Sequence, residues 1–213
     1  MVGIISYGAY IPYFYVSRED LVKMWGRGHG RGEKSVANYD EDSVTMGVAA
    51  CKDCLSGSNL KSVDRLYFSS TTAPYIEKQS ASIVATALDL RQDVFTADFS
   101  GSLRAGTDAM IAAMDAVTSG SANKILLCAS DVRLGLPQGD KEATLGDGAG
   151  TLLIGDHNII ASILCSYSIY NEMLDVWRSD KDRFVHSWEG RFVRDEAGKT
   201  VIDAVSIVLK KIT

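Results

Sequence analysis

The stretch from Leu103 to Val117 constrains the fold more than any other part of the sequence. It contains Ala105, Ala109, Met110, Ile111, Ala112, Ala113, Met114, Ala116 and Val117, so apolar residues occur at nearly every angle around a helix. A helix that is apolar all round must be buried all round. The rest of the chain therefore has to supply layers to cover it. Strand-like runs stand at Val2 to Ile11, Arg65 to Ser70, Val94 to Phe99, Lys124 to Ala129 and Thr151 to Ile154. Helical runs separate them at Asp42 to Leu55 and Lys78 to Leu88. Strands alternating with helices predict a layered α/β fold over residues 1–158.

Smaller features refine this outline. Ser17 followed by Arg18, Glu19 and Asp20 is an N-cap with an acidic first turn, and the helix continues through Leu21 to Trp25. Gly26 to Gly32 alternates glycine with Arg27, His29 and Arg31. This reads as an exposed basic loop, because it does not follow a strand as a phosphate cradle would. Gly146 to Gly150 reads as a tight glycine turn. The character changes after Gly155: Ile159 to Ser168 is strand-like, and Asn171 to Gly190 mixes aromatics with many charges. Residues 159–200 read as an insertion. Residues 201–213 read as a helix, amphipathic from Val201 to Lys211.

The net charge of −5 provides no basic field, which argues against nucleic-acid binding. No apolar run approaches the roughly 20 residues needed to cross a bilayer. The N-terminus lacks a basic start and reads as a strand, so a cytoplasmic location is expected. Cys51 and Cys54 form a C-x-x-C pair late in a helical run. Without two further ligands or a strand–helix junction they read as small core residues, not as a zinc or redox site. Cys128 and Cys165 lie in apolar strand-like runs and read as core.

In order, several segments resemble the thiolase superfamily, in particular the HMG-CoA synthases. They are Gly3 to Pro12, Asp42 to Gly47, Ala73-Pro74-Tyr75 with Lys78, Arg104 to Thr107, Gly146 to Gly150, Asp175 to Arg178, and Gly190-Arg191-Phe192. The resemblance covers essentially the whole chain. It implies the N-terminal half of a thiolase-like fold, a mixed five-stranded sheet with a buried central helix, with residues 159–200 matching an insertion of the HMG-CoA-synthase type.

The family joins acyl-CoA thioesters by a Claisen-type condensation. That chemistry needs a thiolate to take the acyl group, a carboxylate to remove a proton, and a His to support the oxyanion. The resemblance puts the Cys five residues after Asp98 and four before Thr107, which is Leu103. It puts the Glu three residues before Pro74, which is Thr71. The family His belongs to the second half of the fold. His29, His157 and His186 do not match it and read as surface residues. Leu103 cannot form an acyl-enzyme, and Thr71 cannot act as a carboxylate base. Ser100 and Ser102 are hydroxyls beside the expected nucleophile position; capping the helix is their simpler role, with Ser102 the one substitute nucleophile. Glu77 reads as a solvated loop charge. Arg178 and Arg183 are candidate contacts for a CoA phosphate, against a solvated charge cluster with Asp175, Asp180 and Asp182. No metal site and no covalently bound cofactor are expected; a coenzyme A thioester is the candidate substrate.

Two functions follow from this pattern. In the first, the chain is a subunit or half of an HMG-CoA-synthase-like condensing or acyl-transfer enzyme, not competent alone. In the second, it is a non-catalytic scaffold that positions an active thiolase-fold partner. A third possibility is that the sequence is part of a longer protein. Expected partners are a second copy or a chain carrying the second half of the fold and, by resemblance, a small zinc-ribbon and OB-fold protein.

Overall fold

The computed structural model describes residues 1–28, 31–57, 62–188 and 190–212. His29, Gly30 and Thr213 lie outside the described residues. Helix starts show how local and distant chemistry share the work. Ser17 caps α1 (Arg18–Trp25), its hydroxyl accepting the Glu19 and Asp20 N–H groups. Gly26 ends that helix at φ 66°, a left-handed conformation that glycine adopts without strain. Asp42 caps α2 (Ser43–Cys54), and Thr45 reciprocates through its side chain. Helix α3 (Ser80–Ala87) has no local side-chain cap. Instead, the Asp98 carboxylate accepts the Ser80 and Ala81 N–H groups, each at 2.7 Å.

The main sheet contains β1 (Gly3–Tyr10), β4 (Arg65–Ser69), β5 (Phe95–Phe99), β6 (Lys124–Asp131), β7 (Gly148–Gly155) and β8 (Ala161–Ser162). Their spatial order is β5-β4-β6-β7-β1-β8. Strands β5, β4 and β6 run parallel; β7, β1 and β8 pair antiparallel. The sheet is mixed, as expected, but has a sixth strand in the two-residue β8, too short to stand out from the run Ile159 to Ser168. Two further strands, β2 (Phe14–Ser17) and β3 (Glu33–Val36), form a separate antiparallel pair around α1.

Alternation along the strands makes two cores. Leu66, Phe68, Leu126, Cys128 and Leu153 face α2 and α3. Tyr67, Ile125, Leu127 and Ile154 face α4 (Ala105–Thr118). Helix α4 buries Ala105, Ala109, Ala113, Ala116 and Val117. Met110, Ile111, Ala112 and Met114 remain partly covered. The expectation of burial on every side is therefore corrected: the sheet covers one side, and the other is partly open in the single chain. The Gly146 to Gly150 turn is also corrected. Gly148, Ala149 and Gly150 are strand residues of β7. A Cβ on Gly148 would stand 3.2 Å from the Tyr10 carbonyl oxygen, so small size is used there for close packing.

The chain divides into two units. The first holds residues 1–133 and 146–162 and contains the sheet. The second holds residues 134–145 and 163–213. It comprises α5 (Asp140–Thr144), β9 (Val176–Trp177), β10 (His186–Ser187) and α6 (Gly190–Ile212). Val185 is buried there and donates its N–H to the Leu134 carbonyl at 2.9 Å. Helix α6 begins at Gly190, well before Val201. Cys165 is half-exposed outside any strand, not core. Cys51, Cys54 and Cys128 are buried as read. No described helix is long and apolar enough to cross a membrane.

Asp64 closes the start of β4 against β6, accepting the Asn123 and Lys124 N–H groups at 2.8 and 3.2 Å. Partial burial pushes its carboxyl up, but those N–H groups, the Asn123 side chain and Arg91 outweigh burial and hold it below 3.8. A depressed folded-state value stabilises above the unfolded value and is lost as pH falls through the folded one. The expected outcome is acid destabilisation that sets in below about pH 4 and is blunted in Asp64→Asn, measured by urea unfolding at stepped pH.

Candidate functional site

The carboxyl ends of β4, β5 and β6 meet the start of α4, where a parallel sheet exposes its strand ends to ligands. The Ser69 hydroxyl donates to the Ala105 carbonyl at 3.4 Å, tying the end of β4 to the first turn of α4. Leu103 lies in the turn just before this helix and is 52% exposed. An inert aliphatic side chain therefore stands at the helix mouth. Ser102 acts locally: its Oγ accepts the Arg104 N–H at 3.0 Å within the turn that leads into α4, a helix with no side-chain cap bond of its own. Ser100 lies at the end of β5.

Thr71 turns toward its neighbour strand. Its N–H and Oγ1 both donate to Asp131 Oδ1, at 2.7 and 3.0 Å. The Ser70 hydroxyl reaches the same oxygen at 3.1 Å, and the Thr72 hydroxyl at 2.9 Å. Thr72 Oγ1 also accepts the Val132 N–H, and the Thr72 carbonyl accepts the Ser43 hydroxyl at the head of α2. One carboxylate oxygen thus gathers donors from three consecutive residues. Sequence reading did not single out Asp131. The signal was present as an acidic residue ending an apolar strand, but its partners lie some sixty positions earlier.

A cavity of about 330 Å³ opens beside these strand ends. Phe68, Ser70, Tyr75, Glu77, Asp98 and Ser100 contribute to its wall. Glu77, read as a loop charge, is exposed and lines it. Leu103 and Thr71 are not among its lining residues. Asp98 spends both carboxylate oxygens on α3, so it serves as a cap.

The thiols of the C-x-x-C pair are buried. A hydrogen bond with Cys128 and burial push the Cys51 thiol well above its ordinary value. Burial likewise raises Cys54, whose sulfur sits 3.3 Å from the Ser6 hydroxyl. A thiol held protonated is a poor nucleophile and metal ligand. Among the described residues no cluster of three or more His, Cys, Asp or Glu is placed to hold a metal ion.

Arg178 and Arg183 belong to the second unit, at and beyond the end of β9, and both are exposed. Arg183 lies over the Phe184 ring at 5.8 Å. Asp182 accepts the Ser179 N–H and hydroxyl and approaches His186 at 3.4 Å. Ser179 most strongly, with His186 assisting, holds the Asp182 carboxyl below its usual range. Asp175 caps its own strand through the Val176 N–H. His157 is exposed beside Asp156. The acids near the arginines are thus mainly turn-forming groups.

The Asp131 clamp predicts a specific loss. Asp131→Ala leaves three hydroxyls and one N–H without their acceptor and is expected to cost about 1–3 kcal/mol in urea unfolding, with Thr71→Val costing less.

No family model matches the chain. It is 34% identical over 188 residues to a hydroxymethylglutaryl-CoA synthase of Thermococcus sibiricus, covering 86% of this chain and 54% of the relative. It is 31% identical over 221 residues to one of Methanocaldococcus jannaschii, covering 99% and 64%. A solved HMG-CoA synthase complexed with CoA superposes at a TM-score of 0.87 with 17% identity, over 99% of this chain and 56% of that one. The chain spans about half the length of the relatives it matches. Set beside the mixed sheet and the helix that follows β5, these likenesses show an HMG-CoA-synthase-like chain with a thiolase-like fold, matching the N-terminal half of that fold.

Proposed function

We propose that this chain is a subunit or half of an acyl-CoA condensing or acyl-transfer enzyme of the HMG-CoA-synthase type, and that it is not competent alone. The observation that carries this reading is the exposed Leu103 at the mouth of α4, in a fold that superposes on a solved HMG-CoA synthase at a TM-score of 0.87. A helix mouth suits a thiolate, because its free N–H groups and dipole favour negative charge. Here that position offers no nucleophile, and Thr71 offers no base. A partner with the second half of the fold would supply the His and the missing reactive groups. The substrate of the assembly would be a coenzyme A thioester; the solved synthase with CoA bound supports that choice. A small zinc-ribbon and OB-fold protein is a further candidate partner, and a cytoplasmic location belongs to the same proposal.

A second reading is favoured by the Asp131 clamp. Thr71 is engaged by the protein, so this position is spent on holding the fold together. That is the behaviour of a scaffold that has kept the platform and lost the chemistry.

Incubation with radiolabelled acetyl-CoA separates the readings. We expect no covalent label on this chain alone, and acyl transfer when the second-half chain is added. Label confined to an intact homologue, with this chain only raising its yield, supports the scaffold. Label on this chain by itself overturns both. Leu103→Cys is expected to acquire label or to react with iodoacetamide faster than the buried native thiols.

The partly open side of α4 adds a second expectation. Apolar side chains such as Ile111 and Met114 favour a covering surface. Sedimentation is expected to show a homo-oligomer, or a complex with the second-half chain; a stable, well-folded monomer would count against obligate assembly.

A further inference from the structure

We propose that the exposed apolar face of α6 is a self-docking surface, along which two copies of this chain pair with their α6 helices antiparallel. Helix α6 has a covered side and an open one. Thr200 accepts from the Asn171 side chain at 3.4 Å, and the Lys211 ammonium lies over the Tyr167 ring at 4.9 Å. The segment before β9 therefore runs along one side, where Ala197, Ala204 and Ile207 are half-buried. On another arc, Val201, Ile202, Val205, Leu209 and Ile212 each leave at least half their surface exposed. Helical geometry places these five within about 100° of one another around the axis. An apolar strip that runs the length of several turns favours a covering surface.

Spacing and charge identify the occupant. Gly198, Ile202, Val205, Leu209 and Ile212 follow one another at intervals of four, three, four and three residues. An average of about 3.5 is the period with which one helix packs along another, so the strip fits a helix. Charge then sets the direction. Asp195 stands just before the strip and Lys210 in its last turn, both exposed and both on the flank beside Ile202. An antiparallel pair that sets Ile202 against Val205 of the second copy also sets Gly198 against Leu209. Asp195 then lies opposite the last turn, within reach of Lys210 of the second copy, and symmetry forms this ion pair twice. Parallel pairing would instead put Asp195 against Asp195 and Lys210 against Lys210.

The remaining groups are compatible with this arrangement. The space above Gly198 is open, since a Cβ there would meet nothing within 4 Å, and Leu209 of the second copy fits over it. Lys199 pairs with Glu196 of its own helix at 3.5 Å. Lys211 is turned to the covered side by Tyr167. Arg191 and Arg194 precede Asp195 and fall beyond the end of the seam.

Sedimentation of the full chain across roughly 1–100 μM tests this. The native chain is expected to dimerise reversibly. Leu209→Asp is expected to weaken dimerisation by about tenfold or more, because the change is felt twice in each dimer. Lys210→Glu is expected to weaken it by roughly two- to tenfold, and adding Asp195→Lys to restore it. The altered side chains are exposed, so circular dichroism of each variant is expected to match the native chain. A dimer that withstands Leu209→Asp, or a charge exchange that fails to restore affinity, overturns the proposal. A native chain that stays monomeric throughout overturns it as well. The other occupant is probed with the carboxyl-terminal part of the Thermococcus sibiricus synthase that this chain does not match. Capture of that part by a monomeric native chain, and not by Leu209→Asp, assigns the strip to it and refutes self-docking. Should Leu209→Asp misfold, the charge exchange decides alone. None of these outcomes alters the acetyl-CoA labelling, so the two proposals fail separately.

Discussion

The row of alanines along α4 sets the geometry on which the rest of this protein depends. Ala105, Ala109, Ala113 and Ala116 recur on one face and allow the helix to lie directly on Tyr67, Ile125, Leu127 and Ile154. Larger residues there would lift the helix away from the sheet. Because the helix is seated so low, its first turn is fixed against the end of β4, and the residue before that turn is displayed at one defined place. The family resemblance assigns its nucleophile to that place. In this chain that place is occupied by leucine. The residues that seat the helix and the residue it displays are different ones: the alanines face inward, and Leu103 is exposed.

The same separation appears at the strand ends. Position 71 lies at the end of β4 and belongs to a polar network organised by Asp131 on β6. A carboxylate oxygen that collects an N–H and three hydroxyls is satisfied within the protein, and it draws the two parallel strands together where the ladder stops. The hydroxyl-rich run Ser69-Ser70-Thr71-Thr72 is thus explained by a structural demand. Asp98 is a parallel case: its family-aligned position made it a ruler for locating the nucleophile, while its physical task is to supply the cap that α3 lacks.

Legibility in the sequence followed the range of the interactions. The elements with strong internal signals were readable: the helical run opening at Asp42, the cap at Ser17, and the apolar runs of β4 and β6. The α/β class followed from those, whereas the roles given to positions 71 and 103 rest on the family resemblance alone. What escaped reading depended on partners far along the chain. Strand β3 is four polar-rich residues that become a strand only against β2. The glycines after Leu145 suggested a turn, yet the extended pairing of β7 with β1 and β6 overrides that local preference. Burial of α4 was overestimated because periodicity shows that a face is apolar, not which face a neighbour reaches. Asp131 was silent for the same reason: its meaning lies in donors contributed by distant segments.

The position of β1 has a consequence for biosynthesis. Its ladder partners are β7 and β8, with Gly3 opposite both Gly155 and Ser162. Strand β1 is therefore made long before its partners and is among the last to find its place, and its apolar residues stay unsheltered while most of the first unit is still being made. Gly8 tightens this requirement, because a Cβ there would come within 2.2 Å of the Cys54 backbone nitrogen on α2. The nascent β1 segment must enter a slot already narrowed by a helix. Such late, long-range closure makes folding slow and leaves a window in which chaperone capture competes with completion of the sheet.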